Sequence, residues 1–201
     1  MKKSSIKTKK EDIVNYWFSR VNEAGLSVDA SEALERCWRC GCEYKLERCH
    51  IVPASLGGKD EPSNLVLLCN RCHLENPNIS DPEIMWDWIR AYGVPFYDTF
   101  WGYIGMREYE FIYHKTFAKD VEDLGIPNDN INEIIKPMLD EILKETSFHY
   151  GHPYLNAATI AGMYRMLLKR LAKRFDRQIS IEHAHGKPWW YISEGRKTVS
   201  Y

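Results

Sequence analysis

No cysteine lies outside residues 37–72, although the 201-residue chain has six. Disulfides that brace a secreted fold are spread through it, so this confinement excludes that class and points to a local metal site in a reducing compartment. Long apolar runs are also missing. Nothing approaches the roughly 18 to 20 consecutive apolar residues of a membrane span, and the opening Met1, Lys2, Lys3, Ser4, Ser5 has no apolar segment behind its charges. A cytoplasmic protein with no membrane partner is the expectation. Net charge is nearly absent, at -1, so composition does not announce a nucleic-acid binder. Internal repeats and low-complexity tracts are missing too. What is present is 44% apolar and 13% aromatic residues, enough to pack a core in one ordinary domain or two small ones.

The charge is segregated rather than scarce. Residues 1–10 carry five lysines and no acid, residues 120–147 hold eight acids against two lysines, and residues 164–201 have nine basic residues against three acids. A neutral protein distributed in this way can still present a basic surface. For the lysine-rich start taken alone, the expectation is a solvated, frayed terminus.

Hydrophobic periodicity predicts an amphipathic helix over 11–25, carried by Ile13, Val14, Trp17, Phe18 and Val21, and a second short helix from Asp29 to Arg36. Residues 37–80 change character. Leu46 to Val52 reads as a strand, Pro53 to Ser63 as a loop in which Gly57 and Gly58 give backbone freedom, Leu65 to Leu68 as a second strand, and Cys69 to Glu75 as a helix. Beyond it, Ser80, Asp81, Pro82 and Glu83 have capping-box spacing before a helix to Tyr92. Further helices are expected around Ile104 to Phe111, over 131–146 despite Pro137, and over 156–175. In the last, Ile160, Tyr164, Leu167, Leu168, Leu171 and Phe175 share one side, and Arg165, Lys169, Arg170, Lys173, Arg174 and Arg177 cover most of the other. Residues 179–193 read as a β-hairpin turning at Gly186, Lys187 and Pro188. Three regions follow: a helical arm at 1–36, a cysteine-bearing module at 37–80, and a mainly helical region with its hairpin at 81–201, a candidate for binding or positioning DNA.

The module carries the chemistry. Cys37 and Cys40 form one Cys-x-x-Cys pair, and Cys69 and Cys72 form another. Each pair offers two sulfurs from one tight turn, and together they suit a tetrahedral zinc site. Around them stand His50, Asn64 and His73. Hydrolysis of a phosphodiester requires an activated water, neutralised phosphate charge and a stabilised leaving oxygen. A neutral imidazole can serve as the base, which makes His50 the candidate, and His73 is a candidate ligand for a second cation. Arg39, Lys45, Lys59 and Arg71 are candidate phosphate contacts. The basic arc of the last helix reads equally as a DNA-binding face or as a solvated one.

The string CHIVPASLGGKDEPSNLVLLCNRCH, preceded by CWRC, resembles an HNH endonuclease of the four-cysteine, zinc-stapled subgroup in the ββα-metal superfamily. The resemblance covers about a fifth of the chain. It rests on the His-Ile-x-Pro start at His50, the paired glycines, Asn-Leu at Asn64, and the Leu-Cys-x-x-Cys-His run ending at His73. It implies an α+β chain with a small ββα-metal module flanked by an N-terminal helix and a mainly α region that ends in a hairpin. It implies metal-dependent cleavage of DNA, with His50 as general base, Asn64 orienting it by fixing the loop, and His73 binding a catalytic Mg²⁺ or Mn²⁺. Cys37, Cys40, Cys69 and Cys72 would hold a structural Zn²⁺ that does no chemistry. One position departs from the family pattern: Cys49 stands where an aspartate or histidine usually ligates the catalytic cation. Either Cys49 packs and the ion leans on His73, phosphate, water and Asn76 or Asn78, or Cys49 ligates and the site favours a softer transition metal. Cys42 is spare. The competing reading is a zinc-stabilised DNA-binding or regulatory protein without cleavage activity, and oligomeric state is left open.

Overall fold

A computed structural model describes residues 6–23, 25–93, 95–126, 131–151 and 154–179. The chain divides into two compact units, Met1–Trp101 and Gly102–Tyr201. Among the described residues the architecture is α+β, with seven α-helices and one two-stranded antiparallel sheet. The expected hairpin over 179–193, with Lys187 at its tip, lies outside the described residues apart from its first position.

In the first unit, α1 (Lys10–Phe18) buries Ile13 and Val14. It is shorter than its periodicity suggests, because the N–H groups of Arg20 and Val21 both turn back to the Trp17 carbonyl at 2.8 Å. The short helix expected over 29–36 is instead a run of turns, in which Glu35 and Arg36 both bond to the Glu32 carbonyl. β1 (Leu46–His50) pairs antiparallel with β2 (Leu65–Cys69), from Leu46 opposite Cys69 to His50 opposite Leu65. All five residues of β2 are buried, as a continuous Leu-Val-Leu-Leu run favours for a strand covered on both faces. The helix α2 (Asn70–Glu75) follows directly. Strand, loop, strand and helix thus come in the expected order.

β2 is the spine of this unit. Trp17 Nε1 donates to the Leu65 carbonyl at 2.8 Å, and the Trp38 N–H donates to that of Leu67 at 3.1 Å. Trp38 is fully buried with its indole N–H on the Ala33 carbonyl, and it contacts the rings of Phe18 and Trp86. The helix α3 (Pro82–Arg90) adds Met85 and Ile89 to the core. Its cap is Asp81, whose side chain accepts from the Glu83 N–H, rather than Ser80.

The division between units falls inside α4 (Phe100–Tyr113). The second unit continues with α5 (Phe117–Asp123), α6 (Ile131–Lys144) and α7 (Ala157–Arg174). Its core gathers Leu124, Ile142, Leu167, Leu168, Leu171 and Ala172, with Ile135, Met138 and Leu139 packed around them. Thr116 caps α5 and Asn156 caps α7, each accepting from a backbone N–H three residues on, which satisfies donors that the helix itself leaves open.

Candidate functional site

Backbone geometry delivers the four thiols. The Cys37 N–H bonds to the Cys42 carbonyl and the Gly41 N–H to the Cys37 carbonyl, folding residues 37–42 into a tight knuckle. Gly41 has φ of +66°, and a Cβ there would meet the Ser27 carbonyl at 3.0 Å, so glycine is needed twice over. The second pair sits at a helix start, where Cys69 caps α2 and its sulfur accepts from the Cys72 N–H. The ligand atoms of Cys37, Cys40, Cys69 and Cys72 all lie within 4.8 Å of one another, and all four residues are buried. Cys40 and Cys69 are 3.9 Å apart at sulfur. A zinc ion bonded to four sulfurs at ~2.3 Å would space them ~3.8 Å apart, so the cluster has the dimensions and donor set of a structural zinc site. The thiols also titrate as a set: contact with Cys37 is the main cause both of holding Cys40 down at about 4 and of pushing Cys72 up. Sulfurs this close cannot all ionise without a cation between them, and a divalent metal supplies it. Cys42 stays outside the cluster, with its thiol toward the Cys40 carbonyl.

Asn64 ties the loop between the strands. Its Oδ1 accepts from the Val52 N–H at 2.9 Å, and its Nδ2 donates to the carbonyls of Val52 and Lys59, both at 3.0 Å. The Ile51 N–H bonds to the Asn64 carbonyl, so the segment leaving His50 is held at consecutive residues. Gly57 takes φ of +91°, while Gly58 answers a different need. A Cβ on Gly58 would stand 1.7 Å from the Val52 carbonyl oxygen and 2.8 Å from Asn64 Nδ2. The paired glycines thus bring two strands of loop into contact around the asparagine, beyond giving freedom to a turn.

His50 ends β1 and is partly buried. Desolvation holds its pKa below the ordinary histidine value, which keeps the imidazole neutral near pH 7. His73 stands on α2 with Nδ1 2.6 Å from Glu47 Oε2. The bond to His73 is also the chief reason that the Glu47 carboxyl lies below its usual range. Engaging Nδ1 in this way orients the ring and leaves Nε2 as the nitrogen that could bind a cation. Glu47 was missed from the sequence, where a Glu in a strand reads as a solvated charge.

Cys49 is 1% exposed, and burial pushes its thiol up to about 12. Its sulfur points at the His50 carbonyl at 3.6 Å, which favours the packing alternative. The amide nitrogens of Asn76 and Asn78 are used on the local carbonyls of Pro77 and Asn76.

Two of the candidate phosphate contacts are corrected. Arg39 is 7% exposed, pairs with Glu75 at 2.9 Å, lies over the Trp88 ring at 3.9 Å and points Nη1 at Cys72 Sγ at 3.8 Å. Arg71 is 8% exposed and lies over Trp101. Both cations are internal, next to the thiolate cluster or on aromatic faces, where a phosphate cannot reach them. Lys45 and Lys59 are exposed.

Residues 36–78 match the family model described as HNH endonuclease, about a fifth of the chain. The chain carries an HNH endonuclease domain. With four cysteines placed to bind a metal, this domain fits the zinc-stapled HNH subgroup. Neither a curated protein nor a solved structure matches the chain. The HNH domain gives the protein a nuclease-family, metal-binding character. In the second unit, the basic arc of α7 is reduced. Arg165 is buried against Tyr109 and Asp120, and Arg170 pairs with Glu141 and Glu145. Lys169, Lys173, Arg174 and Arg177 stay exposed.

Proposed function

We propose that the protein is a metal-dependent endonuclease that hydrolyses DNA phosphodiesters, with His50 as general base. The observation that carries this is the HNH domain match at residues 36–78, in which His50 ends β1 and is followed by a loop that Asn64 clamps with three hydrogen bonds. His50 takes a proton from water as the water oxygen bonds to phosphorus. The bond from phosphorus to the 3′ oxygen breaks, and that oxygen takes a proton from solvent. His50 then returns its own proton to solvent.

Asn64 positions His50, and Glu47 positions His73. The donor set at His73, one imidazole nitrogen with a carboxylate behind it, suits a hard cation that keeps most of its waters. Mg²⁺ or Mn²⁺ held there would neutralise charge on the phosphate and on the leaving oxygen. Cys49 packs beneath the strand. Cys37, Cys40, Cys69 and Cys72 hold zinc and act only through the fold.

Supercoiled plasmid incubated with Mg²⁺ or Mn²⁺, beside a reaction without added divalent ion, tests this reading. His50→Ala should lower nicking by about 10²- to 10⁴-fold with zinc content unchanged. Equal cutting by both proteins would refute it.

A further inference from the structure

The lysine-rich N-terminus is not a frayed end over its described part. The backbone N–H groups of Lys7 and Thr8 donate to the two oxygens of Asp60 at 2.6 and 3.2 Å, and Arg48 Nη1 donates to the Thr8 carbonyl at 3.0 Å. These three bonds use the backbone of the arm and leave the lysine side chains out of them, while the Thr8 side chain adds a further bond to Asp60. Lys7 and Lys9 are exposed, and neither they nor Lys10 form an ion pair among the described residues. Both anchors belong to the HNH domain. Arg48 precedes His50 by two positions on β1, which puts the two on one face of the strand. Asp60 is near enough for its charge to act on His50. The other end of the arm is fixed as well, since Lys9 is the N-cap residue of α1 and α1 is tied to β2 through Trp17.

This arrangement resolves an electrostatic conflict. A bare carboxylate at Asp60 would repel a phosphodiester approaching His50, whereas here two backbone N–H groups cap it. An arm that merely covered the loop would need Asp60 and Arg48 but would gain nothing from three lysines within four residues, which repel one another until an anion joins them.

We propose that residues 7–10 form a phosphate-binding arm, clamped by Asp60 and Arg48 beside the catalytic groups, that grips the sugar-phosphate backbone of duplex DNA flanking the scissile bond. The proposal rests on the endonuclease reading for the identity of the site, but it is tested by binding alone.

The experiment measures anisotropy of a labelled 20-base-pair duplex between 50 and 200 mM salt, with every protein in a His50→Ala background and zinc-loaded. Lys7→Gln, Lys9→Gln and Lys10→Gln combined should weaken binding at least tenfold at low salt. They should also lower the slope of log affinity against log salt by about 2 to 3, since each phosphate contact contributes about 0.9. Asp60→Ala separates placement from net charge. If charge alone matters, removing an acid tightens binding; if the clamp matters, Asp60→Ala weakens it although every lysine is kept. An unchanged slope in the triple variant, or tighter binding by Asp60→Ala, overturns the proposal. A reduced slope beside a wild type that never nicks plasmid would sink the endonuclease reading and leave the arm standing. Nicking dependent on His50 with an unchanged slope would do the reverse.

Discussion

The HNH domain and the second unit bury polar chemistry in opposite ways. The domain, residues 36–78, has two five-residue strands and one six-residue α-helix, too little regular structure to close a core from apolar area alone. Sulfur replaces that area, and the loop closes on Asn64 and Gly58 rather than on hydrophobic contacts. The second unit does the reverse. Its long helices pack Leu167, Leu168 and Leu171 against Ile142 and Leu124, and its buried Tyr109, Asp120 and Arg165, with the partly buried Lys115, satisfy one another. Arg165 also lies over the Tyr113 ring. The contrast teaches that burial of a charge is not by itself a sign of function. What marks the domain is a set of four buried thiols placed to bind a metal.

Removing zinc should break the comparison most severely. Structural zinc contributes about 10–16 kcal/mol in small zinc modules, so Cys72→Ser, or chelation of the wild type, should unfold the HNH domain and expose Trp38 to solvent. The α6 and α7 helices should persist as far-UV helical signal. A single transition that melts both signals together would mean that the two units are not independent.

Next in size are two matched changes, one in each unit. Gly58→Ala puts a Cβ on the Val52 carbonyl and should cost about 3 kcal/mol or more by forcing the backbone apart. It should abolish nicking while zinc content stays at one equivalent. Leu168→Ala should cost about 2–5 kcal/mol of stability in the second unit and leave the nicking rate unchanged. Denaturant unfolding together with the plasmid assay reads both. Nicking lost in Leu168→Ala would tie the second unit to the chemistry.

The finest distinction lies in what burial does to titratable groups. In the second unit it raises Tyr109, chiefly by desolvation, with no chemical outlet. In the domain it lowers His50, again chiefly by desolvation, which would hold the proposed base in its deprotonated form. A base acts when deprotonated, so the cleavage rate should rise with pH through a midpoint below about 6.5 and be level above pH 7. A midpoint at or above the ordinary histidine value would contradict a desolvated base.

The four clustered cysteines were legible because short spacings carry them. Two sulfurs three residues apart need one turn, and the strands flanking the loop announce themselves by burial pattern. Glu47, the clamped arm and the burial of Arg39 were not legible. The partner of Glu47 is 26 residues away, that of Arg39 is 36, and that of Lys7 is 53. No periodicity reports such pairings. Arg165 shows the converse error, since its place on a helical wheel put it on the basic face, while packing around Tyr109 drew it inside.

By itself, then, the sequence determined which residue types recur at short range, and so the metal staple, the order of strand, loop, strand and helix, and the candidate base. Only the tertiary structure decided which charges are free to act. Long, flexible cations reach carboxylates and aromatic rings far away in the chain, and desolvation depends on everything packed around a group rather than on its neighbours in sequence.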